Sequence, residues 1–261
     1  MRLRSPIAAG SFYPADPKDL KEMVQMFLQE ATEKQLSGSI KAIIVPHAGY
    51  VYSGLVAASA YKLIQNKSYS RIILLGPSHY AAFEGLATSP ADIWETPLGK
   101  VKSLKKTDFP QDEINILESS SIHQPEHCLE VQLPFLQTVL KNFKIFPILM
   151  GDISPEKIAE FSLLLLDKQS LLVVSSDLSH YLPYQEAKEI DKATIDAILQ
   201  QDLANFQKYG EACGKMPIMS LMHLALQQHW QPHLLKALNS GDITGDQTKV
   251  VGYASFAYSE E

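Results

Sequence analysis

Cysteine is scarce in this chain. Cys128 and Cys213 are the two among 261 residues. A disulfide framework is excluded, and the usage predicts a reducing, cytoplasmic setting. Long hydrophobic runs are lacking too. The aliphatic stretches, such as LLLL at 163–166, fall far short of the roughly 20 residues that span a bilayer, so no membrane role is expected. The opening MRLRSPIAAGSFYPAD starts basic but has no continuous apolar core of signal-peptide length. No basic block occurs: 23 Lys and Arg stand against 29 Asp and Glu, a net charge of −6. That balance argues against a nucleic-acid groove, which needs clustered cations. Also missing are a G-x-x-x-x-G-K-[ST] phosphate loop, a G-x-G-x-x-G fingerprint after a strand, and a G-x-S-x-G nucleophile elbow. With no repeat, low-complexity tract or long linker, the chain reads as a single domain over residues 1–261.

What remains is ordinary globular composition, 46% hydrophobic and 20% charged, arranged in alternating patterns. YPADPKDLKEMVQMFLQEATEK reads as a helix with Asp16 as N-cap and Pro17 in its first turn. KAIIVPH and RIILLGPSH read as strands, with the small-residue helix GLVAASAYKLIQ between them, a βαβ unit. EGLATSPADIWETPLGKV reads as a hairpin or excursion. KIFPILMGD, ISPEKIAEFSLLLLDK and SLLVVSSDLSH form a second βαβ unit. EVQLPFLQTVL is expected to be helical from around Cys128, YQEAKEIDKATIDAILQQD and IMSLMHLALQQHW are helices, and KVVGYASFAYS is a closing strand. The predicted class is α/β, a central mixed, largely parallel sheet flanked by helices on both faces.

Chemistry-bearing residues sit where these elements begin or end. His47 in PHAGY and His79 in GPSHY each follow an apolar strand, at the rim where open α/β sheets bind ligands. His127 and Glu130, in PEHCLEVQ, would share a helical face three residues apart. Asp177 and His180 stand in SSDLSH, and Cys213 in EACGKMPI. Imidazole and thiolate are ligands for zinc, iron or copper, and two histidines with one anionic ligand leave positions open for substrate. Plainer roles are available to each: a hydrogen-bonded turn histidine, a cap for Asp177, a small buried hydrophobe for either cysteine. His223, His229 and His233 read as surface or satisfied residues. The Ser, Asp and His of SSDLSH are too close in sequence to converge as a hydrolase triad.

Taken together, AGSFYPAD, VPHAGYVYSG, LGPSHY, TPLG, EHCLEVQLPFL, SSDLSHY and CGKMPI occur in the order that characterises the Memo family, whose bacterial and archaeal members are also called AmmeMemoRadiSam system protein B. The resemblance runs from Ala9 to the YASFAY end. It implies a fold similar to class III extradiol ring-cleaving dioxygenases, which are non-haem iron enzymes. It further implies a metal held by His47, His79 and Cys213, with Asp177, His180 and His127 lining the same pocket. His180 would be acid or base, Asp177 would orient His180 or a metal-bound water, and His127 would hydrogen-bond substrate or dioxygen. Tyr50 and Tyr80 would frame the mouth. Met216 stands where many members carry a histidine. A thiolate in place of the dioxygenases' carboxylate favours softer ions, so iron or copper is expected ahead of zinc. The activity implied is that of a redox-active or dioxygenase-like metalloenzyme acting on a small molecule. The resemblance also allows a binding module for an anionic or phosphotyrosine-type peptide, or an accessory partner of radical-SAM system proteins.

Overall fold

Four runs, AIIV, IILLGP, FPILM and LLVV, are buried throughout and become the middle of the sheet. Strands covered on both faces need apolar side chains at every position rather than at alternate ones. The structure is a computed structural model and describes residues 1–32, 34–109 and 116–261. In chain order the elements begin with β1 (Leu3–Arg4), α1 (Pro17–Glu30), β2 (Ser39–Val45), α2 (Tyr50–Leu63) and β3 (Arg71–Pro77). β4 (Leu86–Thr88), β5 (Ile93–Thr96), β6 (Gly99–Ser103), β7 (Ile116–Glu118), α3 (Ser120–His123) and α4 (Leu133–Val139) follow. Next are β8 (Lys144–Met150), α5 (Pro155–Leu165), β9 (Ser170–Ser175), β10 (His180–Leu182), α6 (Tyr184–Leu199) and α7 (Leu203–Tyr209). The chain closes with α8 (Lys215–Gln228), β11 (Gln231–Asn239), α9 (Ser240–Thr244) and β12 (Val250–Glu260).

The strands form one mixed sheet in the order β1-β5-β6-β8-β3-β9-β2-β12-β10, with β11 beside β12, and β4 between β7 and β8. Its centre, β8-β3-β9-β2, is parallel: Leu74 pairs with Pro147 and Val173, and Ile44 with Val174. β12 closes antiparallel on β2. Alternate residues of each central strand feed two cores. Ile43, Val45, Ile72 and Leu74 meet Leu20 and Val24 of α1, Tyr61 of α2 and Phe135 of α4. Ala42, Ile44, Ile73 and Leu75 meet Phe161 of α5, Ile198 of α6 and Leu221 of α8. Each large aliphatic side chain so buried stabilises the fold by about 1.5–3 kcal/mol. The α/β class with helices on both faces is therefore as the sequence predicts.

Local signals hold as well. Asp16 caps α1, its Oδ1 accepting from Lys18 N at 2.8 Å and Asp19 N at 3.1 Å. The helix ends at Glu30; Glu33, near the end of the predicted stretch, lies outside the described residues. β5 and β6 form the hairpin around Pro97 and Gly99. Two features differ from expectation. The βαβ units interleave: β9 lies between β2 and β3, and β3 lies between β8 and β9. The carboxyl ends of β3, β9 and β2 therefore stand side by side, although they come from distant parts of the chain. The helix expected from Cys128 starts only at Leu133, after a 3-10 turn over Glu130–Gln132. Pro134, without an N–H and with φ fixed, belongs in a first helical turn rather than an interior one. His127 and Glu130 thus share no helix face.

Candidate metal centre

The three adjacent strand ends deliver the site. β2 runs out at Val45 and places His47, β3 runs out at Pro77 and places His79, and β9 runs out at Ser175 and places Asp177. His127 arrives from the loop before the 3-10 turn, and Cys213 from the turn before α8. The His47 ring centroid lies 5.2 Å from that of His79 and 5.6 Å from that of His127, and His79 stacks on His127 at 5.2 Å. One ring nitrogen from each of the three imidazoles falls within 4.8 Å of the other two. Cys213 stands outside that trio and meets it through His47: Sγ lies 3.2 Å from Nε2. Gly214 makes this approach possible, because a Cβ there would lie 2.6 Å from Ser176 Cβ. The sulfur also accepts from Asp177 N at 3.2 Å.

Burial sets the protonation of His47, His127 and Cys213. His47 is 3% exposed; burial first, and the charge of His79 second, lower its pKa to about 3. His127 is lowered to about 4 by burial and then by His47. The Cys213 thiol is pushed up to about 12 by burial and then by Asp177. Near neutral pH His47 and His127 are uncharged and the thiol keeps its proton. Uncharged imidazole is the form that binds metals.

Asp177 is buried, which raises its pKa. Its Oδ1 accepts from His47 N at 2.7 Å, so the carboxylate fixes the backbone that carries His47. His180 opens β10 and is exposed; its charge bears on His47, Asp177 and Asp191. Phe12 packs on His127 with centroids 4.3 Å apart. Tyr80 is 61% exposed and lies 6.2 Å from the His127 ring, at the mouth. Tyr50 does not frame the mouth: it is buried, with its hydroxyl on Val131 O. Met216 is partly exposed in the first turn of α8.

Several sequence candidates go elsewhere. Glu130 faces the amino terminus, where it pairs with Arg4 at 2.5 Å. Cys128 is fully buried and donates to Pro77 O at 3.3 Å. His223 meets Glu156, His233 meets Ser259, and His229 ends α8 in a left-handed conformation. Other residues of the site carry no local signal of their role. Glu126 is buried at 2% exposure and receives His79 through both its backbone and its ring. Burial opposes its charge, but the bonds from the His79 side chain and backbone outweigh that and hold its pKa near about 2. Ser175 and Gln132 stand behind His47. His79, Glu126 and Cys128 also come within 4.8 Å of one another, but Glu126 and Cys128 are engaged by the hydrogen bonds just described.

Fold and site together define an α/β protein with a histidine cluster suited to a metal ion at the carboxyl edge of a parallel sheet. The family model for "Memo-like protein" matches residues 4–257, and the chain belongs to that family. It is 35% identical to a "MEMO1 family protein" of Nitrosopumilus maritimus, covering 98% of this chain and 99% of the relative. It is 36% identical to one of Sulfolobus acidocaldarius, covering 99% and 100%, and 33% identical to one of Aquifex aeolicus with the same coverage. Among the described residues no helix is long and apolar enough to cross a membrane.

Proposed function

We propose that this chain is a redox-active, dioxygenase-like non-haem metalloenzyme acting on a small molecule, with one ion, iron or copper ahead of zinc, held by His47, His79 and Cys213. The observation that carries this reading is the 3.2 Å approach of His47 Nε2 to Cys213 Sγ, groups 166 residues apart in sequence, beside two further imidazoles. The donor set fits: imidazoles and one sulfur suit a borderline or soft ion better than magnesium or calcium. When bound, such an ion supplies one-electron and dioxygen chemistry. The residues supply the rest. Phe12 and the sheet exclude water on one side, and Tyr80 borders the open side. His127, partly exposed beside Tyr80 at the open side, is the imidazole that would bond a substrate oxygen, while its buried Nδ1 faces Glu126 Oε1 at 3.4 Å. His180, at the exposed rim, serves as acid or base.

The test is elemental analysis of untagged protein beside Cys213→Ser, followed by oxygen uptake with catechol-type substrates after anaerobic loading. The reading expects near-stoichiometric iron or copper in the wild type, a clear loss in the variant, and metal-dependent uptake. Equal metal content in the two proteins would remove Cys213 from the centre, and an absence of uptake with loaded protein would remove the oxidative activity.

A further inference from the structure

The hydrogen bonds behind the two strand-end histidines determine where their protons lie. A serine hydroxyl has one hydrogen to donate and two lone pairs to accept with. Ser175 Oγ has three neighbours: Cys128 O at 2.7 Å, Gln132 Nε2 at 2.9 Å and His47 Nδ1 at 2.9 Å. A carbonyl only accepts, so the hydroxyl hydrogen goes to Cys128 O. The Gln132 amide is oriented by its other contacts: Nε2 donates to Pro46 O at 3.0 Å, and Oε1 accepts from the Tyr61 hydroxyl at 2.9 Å. Flipping it would set Oε1 against the Pro46 carbonyl, acceptor against acceptor. Gln132 therefore donates to Ser175, and one lone pair is left for His47. His47 Nδ1 has to be the donor, which places its proton on Nδ1 and its lone pair on Nε2, the nitrogen facing Cys213.

A separate construction does the same for His79. Glu126 Oε2 accepts from His79 N at 2.8 Å, and Oε1 accepts from Cys128 N at 3.0 Å and meets His79 Nδ1 at 3.0 Å. An ionised carboxylate only accepts, so His79 Nδ1 also donates. The peptide of Glu126 is held in turn, its carbonyl accepting from the Arg4 guanidinium at 2.7 Å.

We propose that Glu126 and the Ser175–Gln132 pair are positioning residues that lock His79 and His47 as Nδ1–H tautomers, so that both Nε2 lone pairs are presented to the site before a metal arrives. Their importance for metal binding rests on the reading of His47 and His79 as ligands; the tautomers themselves are properties of the metal-free protein. Outer partners of this kind typically change metal affinity about 10–100-fold when removed.

The experiment is long-range proton–nitrogen NMR of the metal-free, full-length chain with nitrogen-labelled histidine, at slightly alkaline pH. The expected spectrum shows the tautomeric proton of both rings on Nδ1 and the lone pair on Nε2. Either ring found as the Nε2–H tautomer would overturn the proposal, and this measurement needs no variant to fold. In Glu126→Ala the acceptor behind His79 Nδ1 is gone, so the ring should become a mixture of tautomers, and anaerobic ferrous iron should bind about 10–100-fold more weakly. Ser175→Ala should leave His47 as a mixture of tautomers. A Glu126→Ala protein that is folded and keeps the Nδ1–H tautomer alone overturns the assignment of Glu126. Wild-type protein with the expected tautomers but no iron affinity refutes the metal reading while supporting the lock.

Discussion

Glu130 offers the sharpest test of how the site is supported, because its carboxylate is fully buried yet touches none of the clustered imidazoles. Oε2 pairs with Arg4 at 2.5 Å, Oε1 accepts from Ala8 N at 2.8 Å and the Tyr13 hydroxyl at 2.7 Å, and both oxygens lie 3.0 Å from Ile7 N. Arg4 is 2% exposed and lies over the Trp94 ring at 4.1 Å. Glu130→Gln keeps the shape and one acceptor oxygen. It leaves the guanidinium charge without its counter-ion and turns an amide N–H toward N–H donors. Breaking one side of a buried pair costs about 3–5 kcal/mol, a large part of the roughly 5–15 kcal/mol that holds a typical domain together. Urea unfolding of metal-free protein near neutral pH measures the loss. A second readout is local: the tethered segment carries Phe12, whose carbonyl accepts from Tyr50 N at 2.7 Å, so the Tyr50 amide should lose exchange protection in the variant. A loss below about 1 kcal/mol, the scale of a solvated surface pair, with Tyr50 protection unchanged, would refute the view that this carboxylate anchors the amino terminus onto the site.

Two further outcomes are expected. His123 is neutral in the fold, its pKa lowered to about 4 by burial. The unfolded chain takes up this proton as pH falls through roughly 6.5, so the contribution is full above that value and is lost toward 4. His123→Gln, which keeps a donor for Ala87 O, should therefore spare about 2 kcal/mol of the stability that wild-type protein loses between roughly pH 7 and 5 in urea titrations; parallel losses in the two proteins would contradict this. Ligation by Cys213 requires the thiolate, and the thiol is protonated at neutral pH with its pKa near about 12. Anaerobic iron loading, followed by calorimetry in buffers of different ionisation enthalpy, should release about one proton per ion from wild type and none from Cys213→Ser; no release from wild type would move the third donor to an uncharged imidazole such as His127.

Much of the fold was legible because its signals are local. Asp16 and Pro17 announce α1 through a capping bond within the same turn, and Pro97 with Gly99 announces the hairpin. Uninterrupted apolar runs identify the central strands because burial on both faces removes alternation. The strand order was not legible. Sequence neighbours pair more often than not, and nothing in β2, α2 or β3 records that β9 lies between the two strands. The helix at Cys128 was misplaced for a related reason: helical spacing of apolar residues continues upstream of Leu133, while Pro134 and the long-range hold of Arg4 on Glu130 decide where the backbone turns.

The site divides along the same line. His47 and His79 stand out because each directly follows a rigid strand, and strand ends are where such a sheet can bring groups together. Cys213 carries a weaker local mark in the glycine after it, whose missing Cβ lets the turn close on Ser176. Glu126, Ser175 and Gln132 carry none. An acid, a hydroxyl and an amide read from sequence as solvated or capping groups, and only the fold buries them where a single donor–acceptor arrangement satisfies all their partners. Glu130 was attached to His127 by an assumed helix turn, whereas the nearer acid, Glu126, receives His79 instead. The residues that sequence reading finds are those that would touch a metal. Those it misses decide which nitrogen of each ring keeps its lone pair, because a tautomer is set by the complete hydrogen-bond network behind the ring and not by any pair of positions along the chain.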